Sequence, residues 1–190
     1  MSKVYIERVN SNINIDLTNI NKQRAEKLQN QYGKSQLVSY CSWLLLKKVI
    51  LENYNVDIDT LTLSYTDKGK PYFIDSDIQF NITHSNDIIG VIISKSDVGI
   101  DIQEIVEYKS KKLAKRLNCD SFDKYIVLAK FSALEAFYKK IGTGLLPSQL
   151  NENITISKQV KFIDSSIEYY LSICCDDEIE EINYIWLYLK

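Results

Sequence analysis

The order of the periodic segments constrains the fold of this chain more than any other feature. A helical stretch is followed by several short runs rich in isoleucine and valine, and the same order then occurs a second time. Near the start we predict a strand at 3–9 and a polar helix at 19–30, and Ser35 is a suitable N-cap for a longer helix that extends to about Tyr54. Strands are predicted after that helix at 61–65, 79–83, 88–94 and 98–102.

The second half repeats this order. A helix is predicted at 108–117, and Ser121 then caps a longer helix that ends at Ile141, before Gly142. Strands are predicted after it at 154–157, 160–163, 168–174 and 184–189. The segment Phe73–Ile78 is also echoed by Phe162–Ile167, which favours two similar halves with a site at their junction.

We therefore predict an α+β (α/β) fold of two similar lobes. Each lobe would pack a long helix on a small antiparallel sheet, and a pseudo-two-fold axis would relate them. The N-terminal lobe is placed at residues 1–95 and the C-terminal lobe at residues 96–190, in one compact unit. The length of 190 residues and the hydrophobic content of 45% provide enough apolar side chains for such a core.

Composition and charge narrow the function classes. The formal net charge of −2 gives no general attraction to nucleic acids or to anionic membranes. The N-terminus lacks the apolar segment of a signal peptide. No apolar run is long enough to span a bilayer, and the run Trp43–Leu46 stops at Lys47. The four cysteines form no C-x-x-C pair, which favours free thiols in a reducing compartment: Cys41, Cys119, Cys174 and Cys175. We expect a cytoplasmic protein that binds neither nucleic acid nor membrane.

Two polar residues stand at the ends of neighbouring predicted strands. His84, the single histidine, closes the segment Phe80–Ser85, and a histidine can donate a hydrogen bond to a phosphate. Asp101 follows Gly99 in an otherwise apolar strand, where a charge is costly unless it is paired or bound to a metal. The plainer alternatives are a histidine held by loop hydrogen bonds and an acid at an exposed strand end.

A second acid that magnesium would require is available on the second long helix. Glu135 and Lys139 are four residues apart and share a helix face with Phe131. The alternative is an ordinary surface ion pair, but the apolar surroundings favour partial burial. Two other basic features are weak signals alone: the Gly69–Pro71 turn presents Lys70, and a polar helix carries Arg24 and Lys27.

Five segments together resemble the 4'-phosphopantetheinyl transferases. The family pattern runs Gly-Lys-Pro, Phe-Asn-(Ile/Leu)-Ser-His-Ser, Gly-(Ile/Val)-Asp-(Ile/Val)-Glu, a helix with Lys-Glu-(Ala/Ser)-x-x-Lys, and Gly-x-Gly-Leu. The matching segments here, in the same order, are Gly69–Pro71, Phe80–Ser85, Gly99–Gln103, Phe131–Lys139 and Gly142–Leu145. The resemblance is clear over about residues 20–150, and it is closer to the larger, monomeric type that activates carrier proteins of nonribosomal peptide and polyketide synthases.

The resemblance implies a fold, a reaction and a set of site residues. An enzyme of the holo-[acyl-carrier-protein] synthase type would move the 4'-phosphopantetheine arm of coenzyme A to a serine of an apo acyl or peptidyl carrier protein, with Mg²⁺ as cofactor. Adenosine 3',5'-bisphosphate would leave. Asp101 and Glu135 would hold the metal with a weaker contribution from Gln103, and Lys139 would complete the catalytic set. The coenzyme A contacts would be His84, Thr83, Lys70, Arg24 and Lys27.

Three departures from the family pattern keep other functions open. Gln103 replaces an acid, Leu134 replaces the lysine before the helix glutamate, and Ser39 stands near the position of an arginine. The resemblance then implies fewer protein ligands for magnesium and one phosphate-facing cation fewer. A non-catalytic protein of the same fold that binds coenzyme A or a carrier is the main alternative. A small α+β interaction domain with accidental motif matches is the third.

Overall fold

A computed structural model describes residues 1–150 and 152–185 of the chain. Its fold is mixed α+β, as predicted. The helices in this part of the chain are α1 (Lys22–Gln29), α2 (Gly33–Tyr54), α3 (Glu107–Arg116) and α4 (Lys124–Ile141). The strands are β1 (Ser2–Arg8), β2 (Leu63–Tyr65), β3 (Pro71–Phe73), β4 (Gln79–Ser85), β5 (Ile88–Ser94), β6 (Val98–Glu104), β7 (Lys158–Asp164), β8 (Ile167–Cys175) and β9 (Ile179–Ile185).

Two sheets pack face to face between helices. The first sheet has the order β4-β5-β1-β9, the second has the order β6-β8-β7, and β2 pairs with β3 in a separate hairpin. Alternation along the strands divides the apolar residues between layers, because successive side chains of a strand point to opposite faces. In β1, Tyr5 packs with α2, while Val4 and Ile6 pack with Ile100 of β6 between the two sheets.

The second sheet is covered on its outer side by α3 and α4. These helices contribute Leu113, Val127, Leu128 and Leu134 to a third apolar cluster. The layers therefore run from α2 through the first sheet and the second sheet to α4. No helix among the described residues has both the length and the apolar composition needed to cross a membrane.

The first sheet departs from the predicted antiparallel arrangement because its edge strand comes from the end of the chain. β9 pairs in parallel with β1, with Val4 opposite Ile182. The remaining pairings in the two large sheets are antiparallel. One sheet thus has four strands and the other three, so the pseudo-two-fold relation and the boundary near residue 95 stay predictions.

The helix ends follow local capping, with two corrections to the sequence analysis. Helix α2 begins at Gly33 after Tyr32, so Ser35 lies inside the helix and is not its N-cap. Helix α4 is capped by Asp123, whose side chain accepts hydrogen bonds from the amides of Tyr125 and Ile126, and Ser121 lies upstream. The predicted end of α4 is confirmed, since Gly142 has the left-handed φ of 74° that favours glycine.

Two predicted strands of the second half are also corrected. Residues 154–157 form no strand, and β7 begins at Lys158, because β-branched residues form a strand only where a partner strand is available. The last predicted strand, 184–189, begins earlier, at Ile179, and its residues 186–189 lie outside the described residues.

Candidate functional site

A row of polar side chains on β4 joins the two sheets. Asn81, Thr83 and Ser85 alternate along the strand and are buried. Their side-chain oxygens accept hydrogen bonds from the amides of Ile100, Ile102 and Glu104 of β6, at 3.2, 3.1 and 3.1 Å. On the edge of β6 that faces away from β8, these backbone amides therefore find their hydrogen-bond acceptors in side chains of β4 instead of in another strand. This row fixes the position of Asp101 relative to the first sheet.

Gly99 brings α4 against β6. A Cβ added at Gly99 would lie 2.0 Å from the carbonyl oxygen of Ala136 and 2.4 Å from the amide nitrogen of Lys140. Only a residue without a side chain allows this approach. The approach explains why Asp101, two residues beyond Gly99, meets the face of α4 that carries Glu135 and Lys139.

The Asp101 carboxylate is the centre of the candidate site. Asp101 is only 2% exposed. Its Oδ1 lies 2.6 Å from Lys139 Nζ and 3.4 Å from Thr83 Oγ1, while its Oδ2 accepts a hydrogen bond of 3.0 Å from Gln103 Nε2. A buried carboxylate requires such partners, and here both oxygens have them. Asp101 and Lys139, which the sequence analysis placed in one site, are therefore in direct contact in the structure.

Glu135 lies in the same electrostatic environment. It is half-buried, and burial raises the pKa of its carboxyl group; the Lys139 ammonium opposes this rise, and the Asp101 charge adds to it. Two acids that repel one another in a partly dry site favour a cation between them. Two carboxylates, completed by water and substrate phosphate oxygens, suit magnesium. The described residues contain no group of three His, Cys, Asp or Glu side chains that would form a cage made only of protein ligands.

His84 and Gln103 stand at the margin of this centre. The His84 residue is exposed at its surface, but the protein atoms around its ring exclude part of the water and lower the pKa of the ring; Lys139 lowers this pKa further, and Asp101 opposes the change. A neutral imidazole keeps one N–H donor at neutral pH. Gln103 directs its amide nitrogen to Asp101, so its predicted role as a weak metal ligand stays a prediction.

A second basic cluster lies between α1 and the turn after β2. Arg24 is 8% exposed; it donates a hydrogen bond of 2.9 Å to the carbonyl of Ser39, and its guanidinium lies 5.4 Å from the centre of the Trp43 ring. Its buried Nε has no hydrogen-bond partner among the described residues. Lys27 Nζ lies 3.9 Å from the centre of the Tyr65 ring. We name Arg24, Lys27 and Tyr65 the basic pocket.

The charges of the basic pocket depend on one another. Burial lowers the pKa of both Arg24 and Lys27, and the Arg24 charge lowers that of Lys27 further. Burial raises the pKa of Tyr65, against the attraction of Arg24. Two cations held together favour an anion beside them. Both cations were predicted from the sequence, whereas Tyr65 was missed, because its position at the end of β2 is the only signal that it carries.

The surroundings of Lys70 and Leu134 differ most from those expected from the sequence. The Lys70 ammonium donates hydrogen bonds to the carbonyls of Lys140 and Val98, at 2.7 and 3.2 Å. Leu134 is fully buried in the apolar cluster between α3, α4 and the second sheet. The leucine therefore lies in the core, and the expectation that it removes a phosphate-facing cation is wrong for this structure.

The structure thus contains two clusters of charged side chains. One is the basic pocket, with the cations Arg24 and Lys27, and the other holds two acids and a lysine at the junction of β6 and α4. Acids that bind a divalent cation and lysines that bind phosphate oxygens are the usual components of phosphoryl-transfer sites.

The comparisons with known proteins agree with this class. The family model described as "4'-phosphopantetheinyl transferase, N-terminal" matches residues 8–96. The chain is 32% identical over 95 residues to 4'-phosphopantetheinyl transferase gsp of Aneurinibacillus migulanus, an alignment that covers 50% of this chain and 40% of the relative. It is 51% identical over 43 residues to a candidate 4'-phosphopantetheinyl transferase of Haemophilus influenzae, which covers 20% of this chain and 18% of the relative.

These matches support the resemblance to the 4'-phosphopantetheinyl transferase superfamily that the motifs predicted. The chain spans less than half of the length of these two relatives. The matched family region ends before Asp101, so the acids of the candidate site rest on the structure and on the motif order.

Proposed function

We propose that this protein transfers the 4'-phosphopantetheine arm of coenzyme A to a serine of an apo acyl or peptidyl carrier protein, with Mg²⁺ as cofactor. The observation that carries the proposal is the junction of β6 and α4, where buried Asp101 pairs with Lys139 beside half-buried Glu135. The names of the related proteins support a phosphopantetheinyl transfer in general. The carrier class, the metal and the residue roles are our inference.

The basic pocket suits the adenosine end of coenzyme A. Arg24 and Lys27 would bind the 3'-phosphate, because Arg24 has a buried N–H without a partner and Lys27 extends its ammonium over Tyr65. His84 and Lys139 would bind the pyrophosphate, His84 as a neutral donor and Lys139 as a charge. The hydroxyl of Thr83 already accepts a hydrogen bond from the amide of Ile102, so Thr83 would contact coenzyme A while it keeps this bond.

Asp101 and Glu135 are the residues that would hold magnesium, with Gln103 close enough to contribute. When bound, the ion would neutralise charge on the pyrophosphate of the leaving group. Asp101 is presented by β6 and Glu135 by α4, so both acids are held by regular elements. Lys139 would exchange its present contact with Asp101 for a phosphate oxygen when the substrate enters.

The transfer step needs positioning and one proton acceptor. The carrier serine oxygen forms a bond to the phosphorus of the phosphopantetheine phosphate, and the bond from that phosphorus to the adenosine bisphosphate oxygen breaks. The serine proton passes to the Glu135 carboxylate, which α4 presents at the site. Adenosine 3',5'-bisphosphate leaves with the electron pair of the broken bond.

The carrier protein would approach beside α3. An open cleft of about 630 Å³ is lined there by two exposed aromatic side chains and three lysines: Tyr108, Phe122, Lys111, Lys112 and Lys115. The same helix ends at Arg116, whose charge acts on Glu135. A partner with acidic side chains would therefore be held next to the acids of the candidate site.

Mass spectrometry of an apo carrier protein tests the function. Incubation with this protein, coenzyme A and Mg²⁺ is expected to add one phosphopantetheine to the conserved acceptor serine peptide, and EDTA is expected to prevent it. The matched control is the same carrier with its acceptor serine changed to alanine. Absence of the modification with several acyl and peptidyl carriers would contradict the proposal.

A non-catalytic coenzyme A or carrier-binding protein is the second candidate. Gln103 favours it, because this residue brings no charge and donates its amide to Asp101 in place of offering a carboxylate. Calorimetric titration with coenzyme A separates the two functions: binding without transfer to any carrier supports this candidate. We infer a cytoplasmic monomer in either case: the four free cysteines suit a reducing compartment, and the two-lobed sequence pattern suits a monomer.

A further inference from the structure

We propose that Lys70 is a positioning residue that fastens the C-terminal end of α4 to the turn between β2 and β3. This assignment differs from the phosphate contact that the family resemblance implies. The importance of α4 rests on the proposed function, because that helix carries Glu135 and Lys139. The contacts of Lys70 themselves do not depend on it.

The ammonium of Lys70 joins two elements of the second half of the chain. It lies 2.7 Å from the carbonyl oxygen of Lys140, in the last turn of α4, and 3.2 Å from that of Val98, at the start of β6. Carbonyls in the last turn of a helix have no partner within the helix, and a cation there also opposes the negative end of the helix dipole. Lys70 is half-buried, as expected for a group that is committed to protein contacts.

The rest of the turn supports the same connection. The Thr66 hydroxyl accepts a hydrogen bond of 3.1 Å from the backbone amide of Lys70. The same hydroxyl donates a hydrogen bond of 3.5 Å to the carbonyl of Gly142. A methyl group at Gly142 would be 3.6 Å from Lys70 Cδ, so the aliphatic stem lies along the end of α4. The turn therefore contacts α4 through a cation, a hydroxyl and an apolar stem.

The location of this contact explains its effect on the site. Val98 precedes Gly99, where β6 and α4 approach so closely that no side chain fits. Lys140 follows Lys139, whose ammonium is 2.6 Å from Asp101. Lys70 thus links the strand beside the close approach at Gly99 to the helix position that follows Lys139. Without it, the last turn of α4 would loosen, and small displacements of reacting groups strongly reduce rates.

A phosphate role for Lys70 makes a different prediction. If Lys70 turned to coenzyme A, its loss would weaken binding of coenzyme A and of adenosine 3',5'-bisphosphate even without metal. If Lys70 holds α4, its loss would instead weaken binding of a divalent ion between Asp101 and Glu135 and slow the transfer, while the bisphosphate binds as before.

The test compares Lys70→Met with Lys68→Met, an exposed lysine of the same turn, and with Lys70→Arg. For Lys70→Met we expect about tenfold weaker binding of Mn²⁺ alone, about tenfold lower kcat, and faster amide exchange in the last turn of α4. Bisphosphate affinity in EDTA and the KM for coenzyme A should change by less than about twofold. Lys70→Arg should recover most of kcat, and Lys68→Met should match the wild type.

Two results would overturn the assignment. One is a loss of bisphosphate affinity in EDTA with unchanged amide exchange in α4, and the other is a Lys70→Met protein that matches Lys68→Met in every measurement. If Lys70→Met does not fold, the wild-type protein decides: the ¹H–¹⁵N signal of the Lys70 ammonium should stay in place on addition of bisphosphate, and a shift that follows saturation contradicts the proposal. Amide exchange in α4 and Mn²⁺ binding are measured without a carrier protein. They therefore test the role of Lys70 independently of phosphopantetheine transfer, whose failure in the wild type would contradict only the proposed function.

Discussion

Glu7 is a buried acid without a direct partner, and it lies outside the candidate site. It is 7% exposed, its carboxylate makes no hydrogen bond or ion pair with the described residues, and it borders a cavity of about 130 Å³ with Cys41 and Lys48. Burial raises the pKa of Glu7, and Lys48 opposes this rise. Burial, helped by the Glu7 charge, also raises the pKa of Cys41 to about 11, so the thiol is protonated and inert.

The raised pKa of Glu7 predicts how stability depends on pH. The folded state holds this proton more tightly than the unfolded state, so the ionised group destabilises the fold above its folded pKa, and this effect disappears below the unfolded pKa. Glu7→Gln should therefore gain stability relative to the wild type as pH rises from about 4 to 7, by roughly 1 kcal/mol. Urea unfolding at both pH values measures the gain; a difference that shrinks with rising pH would contradict it.

Gly99 makes the sharpest steric prediction. In Gly99→Ala the new methyl group would meet the carbonyl of Ala136 and the amide of Lys140, which are backbone atoms and have little freedom to move. We expect a loss of at least about 3 kcal/mol in the free energy of unfolding. Gly90→Ala is the matched control, because its methyl group would meet the ends of the Ile102, Thr83 and Ile6 side chains. Equal losses in the two variants would contradict the account.

At the scale of elements, α3 carries the predicted carrier contact. Lys111→Glu combined with Lys115→Glu should raise the KM for the carrier about tenfold at low salt and leave the KM for coenzyme A unchanged. Lys158→Glu, at the exposed start of β7, is the matched charge control. A double variant with an unaltered carrier KM, or one that raises the KM for coenzyme A equally, would remove the support for this surface.

The sequence predicted the elements better than their connections. Gly142 ends α4 and the isoleucine-rich runs form β5 and β6, because glycine conformation and alternation act locally. The parallel pairing of β9 with β1 was missed, since it joins the two ends of the chain and leaves no local pattern. Asp123 was missed as the cap of α4 because Ser121 has an equally suitable side chain two residues earlier.

The candidate site shows the same limit. Asp101 and Glu135 were predicted from a charge within an apolar strand or helix, which needs a partner, while the role of Lys139 came from the family resemblance. The contacts of Lys70 were not predicted, because they depend on the distance between a turn and a helix end about 70 residues away in the chain. Leu134 was misassigned for a similar reason, as only the packing of α3 on α4 shows which face is buried.

At the scale of the whole molecule, the last described strand completes the first sheet. The amide of Ser2 donates to the carbonyl of Glu178 at 2.9 Å, and Ser94 donates to Asp177 at 3.0 Å. Ile182 packs against the apolar cluster between the two sheets. The two ends of the described chain therefore stabilise a single structure.

This closure predicts that β9 contributes to global stability. Ile182→Asp should lower the free energy of unfolding by about 2–3 kcal/mol, because it places a charge in the apolar layer between the sheets. Glu181→Asp, its exposed neighbour in the same strand, should change it by less than about 0.5 kcal/mol. Chemical unfolding monitored by the tyrosine and tryptophan signals measures both, and equal small effects would show that β9 is not required.

The most direct test of the central claim is the initial rate of phosphopantetheine transfer by the wild type, Asp101→Asn and Glu135→Gln. The rate is followed by intact mass of the carrier, with coenzyme A affinity measured on the same samples. We predict a loss of at least about 10²-fold in rate for each variant, with the protein folded and binding in EDTA retained within about threefold. Transfer by either variant at the wild-type rate would contradict the assignment of these two acids as the catalytic centre.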